Sequence, residues 1–88
     1  MPDRYSIRFT TGAARDMRGF DRDVQKRIGK KIDALAATPR PPGVTKIEGS
    51  DRTYRIRVGD YRVLYEIHDA ELVVVVIRLD RRDDVYRR

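Results

Sequence analysis

Eighty-eight residues make one small domain and leave no room for a second. Twenty Lys and Arg against fourteen Asp and Glu give a net charge of +6, and hydrophobic residues are 40% of the chain, enough for one modest core and too many for wholesale disorder. Cysteine is absent and histidine occurs once, which excludes a disulfide framework, a thiolate metal site, a Cys nucleophile and any site needing two histidines.

The first element is Tyr5–Phe9, which alternates apolar and polar at the period of a half-buried strand. Thr10 or Thr11 can cap a short helix that puts Ala13, Met17 and Phe20 on one face, and Gly19 ends it. Asp21 is the N-cap of a longer helix with the apolar stripe Val24, Ile28, Ile32 and Leu35. Arg22, Lys26 and Lys30 lie roughly opposite, and Lys31 falls at the edge of the stripe. Thr38-Pro39 stops this helix, and Pro39–Gly43 is a stiff connector.

Three strands follow. Tyr54–Val58 alternates cleanly, Gly59-Asp60 signals a two-residue turn, and Tyr61–His68 is the return strand. Asp69-Ala70 reads as a second two-residue turn before Leu72–Leu79, whose valine run suits a central strand buried on both faces. The tail, Asp80–Arg88, is charged but carries Val85 and Tyr86. The order β-α-α-β-β-β describes an α+β domain over residues 1–88, with two N-terminal helices packed on a small antiparallel sheet.

Sixteen of the twenty basic residues are Arg, which favours planar, bidentate contacts to phosphate over point-charge contacts. With Gly59-Asp60 as the whole loop, Arg57 faces Arg62 and Arg55 faces Leu64, all on the side opposite the core. Like charges directly opposite are destabilising. Either this is a solvated strand face whose arginines pair with Glu66 or Asp80, or it is an anion site for phosphate. Two-residue turns also put Val73, Val75 and Ile77 beside Leu64 there, an apolar strip that the tail or a partner must cover. His68, at a strand end beside a turn, reads as a loop-edge residue. Asp80, Asp83 and Asp84 resemble metal ligands in type, but their Arg neighbours point to surface pairing; neither a metal nor a cofactor is expected.

Lys46-Ile47-Glu48-Gly49, the hairpin Tyr54–Tyr65, the run Val73–Ile77 and the terminal Asp80–Arg87 with its "R-x-D-V-Y" together resemble the RelE family, toxins of type II toxin–antitoxin pairs, over nearly the whole chain. The resemblance implies a ribosome-dependent endoribonuclease that cuts mRNA in the A site without metal, the 2′-OH attacking the adjacent phosphate to leave a 2′,3′-cyclic phosphate and a 5′-OH. By position it implies Arg55 and Arg57 as two basic residues of the first hairpin strand and Arg62 as the group that stabilises charge on the phosphate. It implies Arg82 as general acid for the leaving oxygen and Tyr86 as the residue that stacks on or orients a base. Arg22, Lys26, Lys30 and Arg81 are the expected contacts to RNA.

Two positions depart from that family's pattern. Arg57 stands where a lysine serves as base, and an arginine stays protonated at neutral pH, so its role must be electrostatic. Arg81 stands where many relatives carry His. The implied partners are a cognate antitoxin, the ribosome with its mRNA, and promoter DNA only through the antitoxin. No apolar run suits a membrane span and the first residues lack a signal pattern, so a cytoplasmic protein is expected. The alternatives are a gyrase inhibitor like the related ParE proteins, or a weak toxin acting mainly in an antitoxin-bound repressor complex.

Overall fold

The computed structural model describes residues 4–81. The chain runs β1 (Ser6–Phe9), α1 (Thr11–Arg18), α2 (Arg22–Ala34), β2 (Thr45–Lys46), β3 (Thr53–Val58), β4 (Tyr61–His68) and β5 (Val73–Arg81). The sheet order is β1-β5-β4-β3-β2. The expected β-α-α-β-β-β order holds with one addition, the two-residue β2 on the outer edge of β3. One pair departs from the expected antiparallel sheet: β1 lies parallel to β5, Ser6 beside Val73 through Phe9 beside Val76. The β3–β4–β5 meander is antiparallel, and it returns the chain to β1 in the direction in which β1 left.

Thr10 caps α1, its hydroxyl accepting from the Ala13 N–H at 3.0 Å and donating to the Ile77 carbonyl at 2.9 Å, so the same side chain ties the helix to β5. Gly19 closes α1 in a right-handed conformation. Asp21 precedes α2 without a side-chain cap bond; Gln25 instead donates from Nε2 to the Phe20 carbonyl and from its backbone N–H to the Asp21 carbonyl. The helix ends at Ala34 and unwinds through a turn to Thr38, whose conformation Pro39 restricts.

Both helices cover one face of the sheet. Ala13, Val24, Ile28, Ile32 and Leu35 meet Tyr54, Ile56, Val58, Val63, Tyr65, Ile67, Val74, Val76 and Leu79 in a single core, with Met17 and Phe20 at its margin. The connector is fastened to the sheet. Tyr65 donates to the Pro39 carbonyl at 2.7 Å. Arg40 lies over the Tyr54 ring, donates to its hydroxyl, and pairs with Asp69 at 2.8 Å, while Tyr5 donates to the same carboxylate at 2.6 Å. Asp16 does similar work for α1, accepting from Arg78 Nε and from the Leu79 N–H. Among the described residues no helix is long and apolar enough to cross a membrane.

Candidate functional site on the open sheet face

The β3–β4 hairpin closes through the expected two-residue turn. Gly59 adopts φ 61° at the first central position, the conformation a tight hairpin turn requires of it. Val58 therefore faces Tyr61, Arg57 faces Arg62 and Arg55 faces Leu64, as the turn implied. The three arginines stand on the face that no described helix covers.

The second turn differs. It spans four residues, Asp69–Leu72, with Leu72 at φ 56°, so β5 begins at Val73 and runs to Arg81. Lengthening a hairpin loop by two residues slides the register by two and leaves each side chain on its original face. Val73 and Val75 thus lie beside His68 and Glu66 on the arginine side, as expected, and with Leu64 form a half-buried apolar strip. Ile77, half-buried like them, has no cross-strand partner. It sits between the Tyr65–Val76 and Leu64–Arg78 pairs, where β5 carries one extra residue. Beyond that bulge Arg78 faces Leu64 and Asp80 faces Arg62.

The acids of this face are engaged elsewhere. Glu66 binds His68 Nε2 at 2.8 Å, and Arg52 donates to Nδ1 of the same ring. A guanidinium only donates, so Nδ1 accepts and the neutral ring keeps its proton on Nε2. His68, at the far end of β4, is thereby a structural residue. Asp80 lies 3.8 Å from Arg78, which holds Asp16 at 2.8 Å, and that bond raises the Arg78 pKa further. Arg55, Arg57 and Arg62 form no ion pair with the described acids, and the buried Nε of Arg62 has no hydrogen-bond partner. An orphaned buried donor costs about 1–3 kcal/mol. The pairing of these arginines with Glu66 or Asp80, one of the two readings of the sequence, is absent. What remains is Arg55 and Arg57 lining one opening, with Arg62 directly across the hairpin from Arg57, a set suited to an anion with several acceptor oxygens.

Arg22, Lys26 and Lys30 are exposed on α2. Arg27, on the same helix, was not singled out in the sequence. Its Nη1 reaches the hairpin tip, 3.5 Å from where a Cβ on Gly59 would stand. Arg8, beside Val75, is a further cation of the open face that alternation alone did not bring to notice, whereas Arg78 runs to α1, where it packs beside Gly12 and pairs with Asp16. Arg81 lies apart from them: it pairs with Tyr61 and its guanidinium is 5.8 Å from that ring, on the helix side of the sheet. Arg82 and Tyr86 lie outside the described residues. Among those described, no three His, Asp or Glu side chains converge as a metal site would require.

Residues 7–86 match the family model described as the ParE toxin of the type II toxin–antitoxin system parDE. The chain is 34% identical over 85 residues to toxin RelG of Mycobacterium tuberculosis, covering 96% of this chain and 98% of that one. It is 27% identical over 81 residues to the mRNA interferase toxin RelE of Escherichia coli, covering 90% and 84%. Among solved structures, the archaeal RelE–RelB complex from Pyrococcus horikoshii superposes with a TM-score of 0.80 at 26% identity, over 93% of this chain and 97% of that one. The RelBE2 toxin–antitoxin complex from Mycobacterium tuberculosis gives 0.79 at 29%, over 90% and 92%. Two helices packed on a five-stranded sheet are thus shared with proteins of one kind, and the chain belongs to the RelE/ParE superfamily of type II toxin–antitoxin toxins.

Proposed function

We propose that this toxin is an endoribonuclease that cuts mRNA in the ribosomal A site and is held inactive by a cognate antitoxin. The observation that carries the reading is the set Arg55, Arg57 and Arg62, without counter-ions among the described residues and with the Arg62 Nε unsatisfied there. A phosphodiester gains charge as the 2′-oxygen attacks, and guanidinium groups already fixed in place stabilise that charge without reorganising. Arg62, whose Nε is buried and unsatisfied, is assigned to the transition-state phosphate, and Arg55 and Arg57 to the non-bridging oxygens and the flanking backbone.

None of these arginines removes the 2′-proton at neutral pH, so the rate rests on alignment of the 2′-OH with the leaving 5′-oxygen, which the ribosome supplies. Arg82 and Tyr86 are assigned the leaving-group proton and the base. Arg22, Lys26 and Lys30 grip ribosomal RNA phosphates. The names of the Escherichia coli relative and of the RelB complexes support this activity and this partner. Promoter DNA is reached only through the antitoxin.

The match to the ParE family model favours one second reading, inhibition of DNA gyrase. Primer extension on a message held in purified ribosomes, run beside a gyrase supercoiling assay, separates them. Cuts inside the A-site codon, with free RNA hardly touched, are expected. Efficient cutting of free RNA at matched concentration overturns ribosome dependence. Intact message with inhibited gyrase assigns the protein to the second reading.

A further inference from the structure

Arg57 lines two adjoining openings. One, of about 310 Å³, is polar and lies along β3 among Gly43, Thr45 and Arg55. The other, of about 220 Å³, is apolar and lies between the end of α2 and the connector, walled by Ala34, Leu35, Pro41, Pro42 and Ile56 with Lys31 at its side. Among the described residues no carboxylate lines either one.

The strand edge at this place is incomplete. Beta2 pairs only with Tyr54 and Arg55, so the edge from Ile56 to Val58 has no strand beside it. The Arg52 carbonyl accepts from Ile67 across the hairpin, while the Thr53 carbonyl accepts from Ile47 on the outer side. Alternation along β3 then turns the backbone N–H and C=O of Arg57 outward, to the edge where the apolar cleft opens. One residue with outward polar groups is too short a stretch for an added peptide strand. It is one donor and one acceptor beside an apolar slot, continuous with a cationic groove.

We infer that the cleft is a nucleobase subsite, taking the base next to the phosphate held by Arg55 and Arg57; this rests on the RNA-cleaving reading above. The base lies between the proline rings and the Leu35–Ile56 wall, and its edge meets the Arg57 backbone groups. Lys31 meets the next phosphate. The arrangement makes this cleft a source of sequence preference separate from the groups that act on phosphorus.

The test uses the full chain with methyl and arginine guanidinium nitrogen labels and a short single-stranded RNA, 2′-O-methylated so that it cannot be cut. Signals of Ala34, Leu35 and Ile56 should move with the intact RNA and stay in place when one particular base is removed. Ala34→Phe, at an exposed helix position, should fill the cleft and weaken intact RNA on the order of tenfold, to the level of the RNA lacking that base. If every abasic RNA moves the cleft signals as the intact one does, the subsite is overturned while the phosphate reading stands. Movement only with an acidic peptide carrying an apolar side chain overturns it and gives the cleft to a protein. RNA that moves neither the cleft nor Arg55, Arg57 and Arg62 overturns the subsite and the phosphate reading together.

Discussion

Arg57 and Arg62 oppose each other across a hairpin, and their mutual repulsion separates a functional role from a structural one. Arg62→Ala should leave thermal stability unchanged or slightly raised while lowering cleavage by about 10²–10³-fold, the usual loss for a transition-state donor. A destabilised variant that stays fully toxic would make Arg62 structural. Arg57 tests the missing base. Arg57→Lys should keep activity and give the pH–rate profile a new basic limb, because a lysine among cations loses its proton more readily. Arg57→Gln keeps length and hydrogen bonding without charge and should be as weak as Arg57→Ala; a Gln variant as active as Arg at every pH would end the electrostatic assignment. These three arginines were legible because a two-residue turn fixes the register of everything beside it. Arg27 and Arg78 were not, since their neighbours come from a helix–turn contact and a bulge that no spacing encodes.

At the scale of elements, side-chain clamps decide how helices, connector and sheet stay together. The hydrogen bonds from Arg40 and then Tyr5 hold the Asp69 pKa below the usual carboxylate range. A depressed carboxylate stabilises the fold fully above its unfolded pKa of about 3.9, and that contribution disappears as pH falls through the lower folded value. Burial pushes the Tyr65 hydroxyl up to about 12. With a raised pKa the contribution is whole below the unfolded value near 10 and is lost as pH climbs from there to the folded value. Urea midpoints across pH should therefore fall on both flanks; Asp69→Asn should flatten the acid flank, and Tyr65→Phe the alkaline one. Asp16→Ala should cost on the order of 1–3 kcal/mol by orphaning the Leu79 N–H, read as a lower melting temperature. The helices were legible because each buries a stripe, Val24, Ile28, Ile32 and Leu35 most plainly. The clamps were hidden because each joins distant residues, and β2 was hidden because two residues carry no period. The four-residue turn at Leu72 escaped notice too, yet Val73 and Val75 were still assigned to the correct face, because the register slid by an even number before the bulge.

Over the whole molecule, charge and greasy surface are sorted by layer. The helices and one sheet face enclose the core, the other sheet face carries Arg55, Arg57 and Arg62, and Arg27 of α2 reaches the tip of the hairpin that bears them. Ribosome binding should weaken steeply with salt, and Arg27→Ala should reduce the slope of log affinity against log salt by roughly one, the value for one lost phosphate contact. An unchanged slope would remove Arg27 from the RNA path. The strand order has a kinetic consequence. Beta5 lies between β1 and β4, so the first strand of the chain joins the sheet only through the last. Until β5 docks, β1 has no strand to pair with and the inner edge of β4 is bare. The slow event in folding should be closure of a loop more than sixty residues long, Ser6 to Val73, rather than formation of the local β3–β4 hairpin. Val74→Ala and Val76→Ala should slow refolding and leave the unfolding rate nearly unchanged. An incomplete copy is then a hairpin and two helices without a common floor, and the arginines gain their fixed geometry in the same step that completes the sheet.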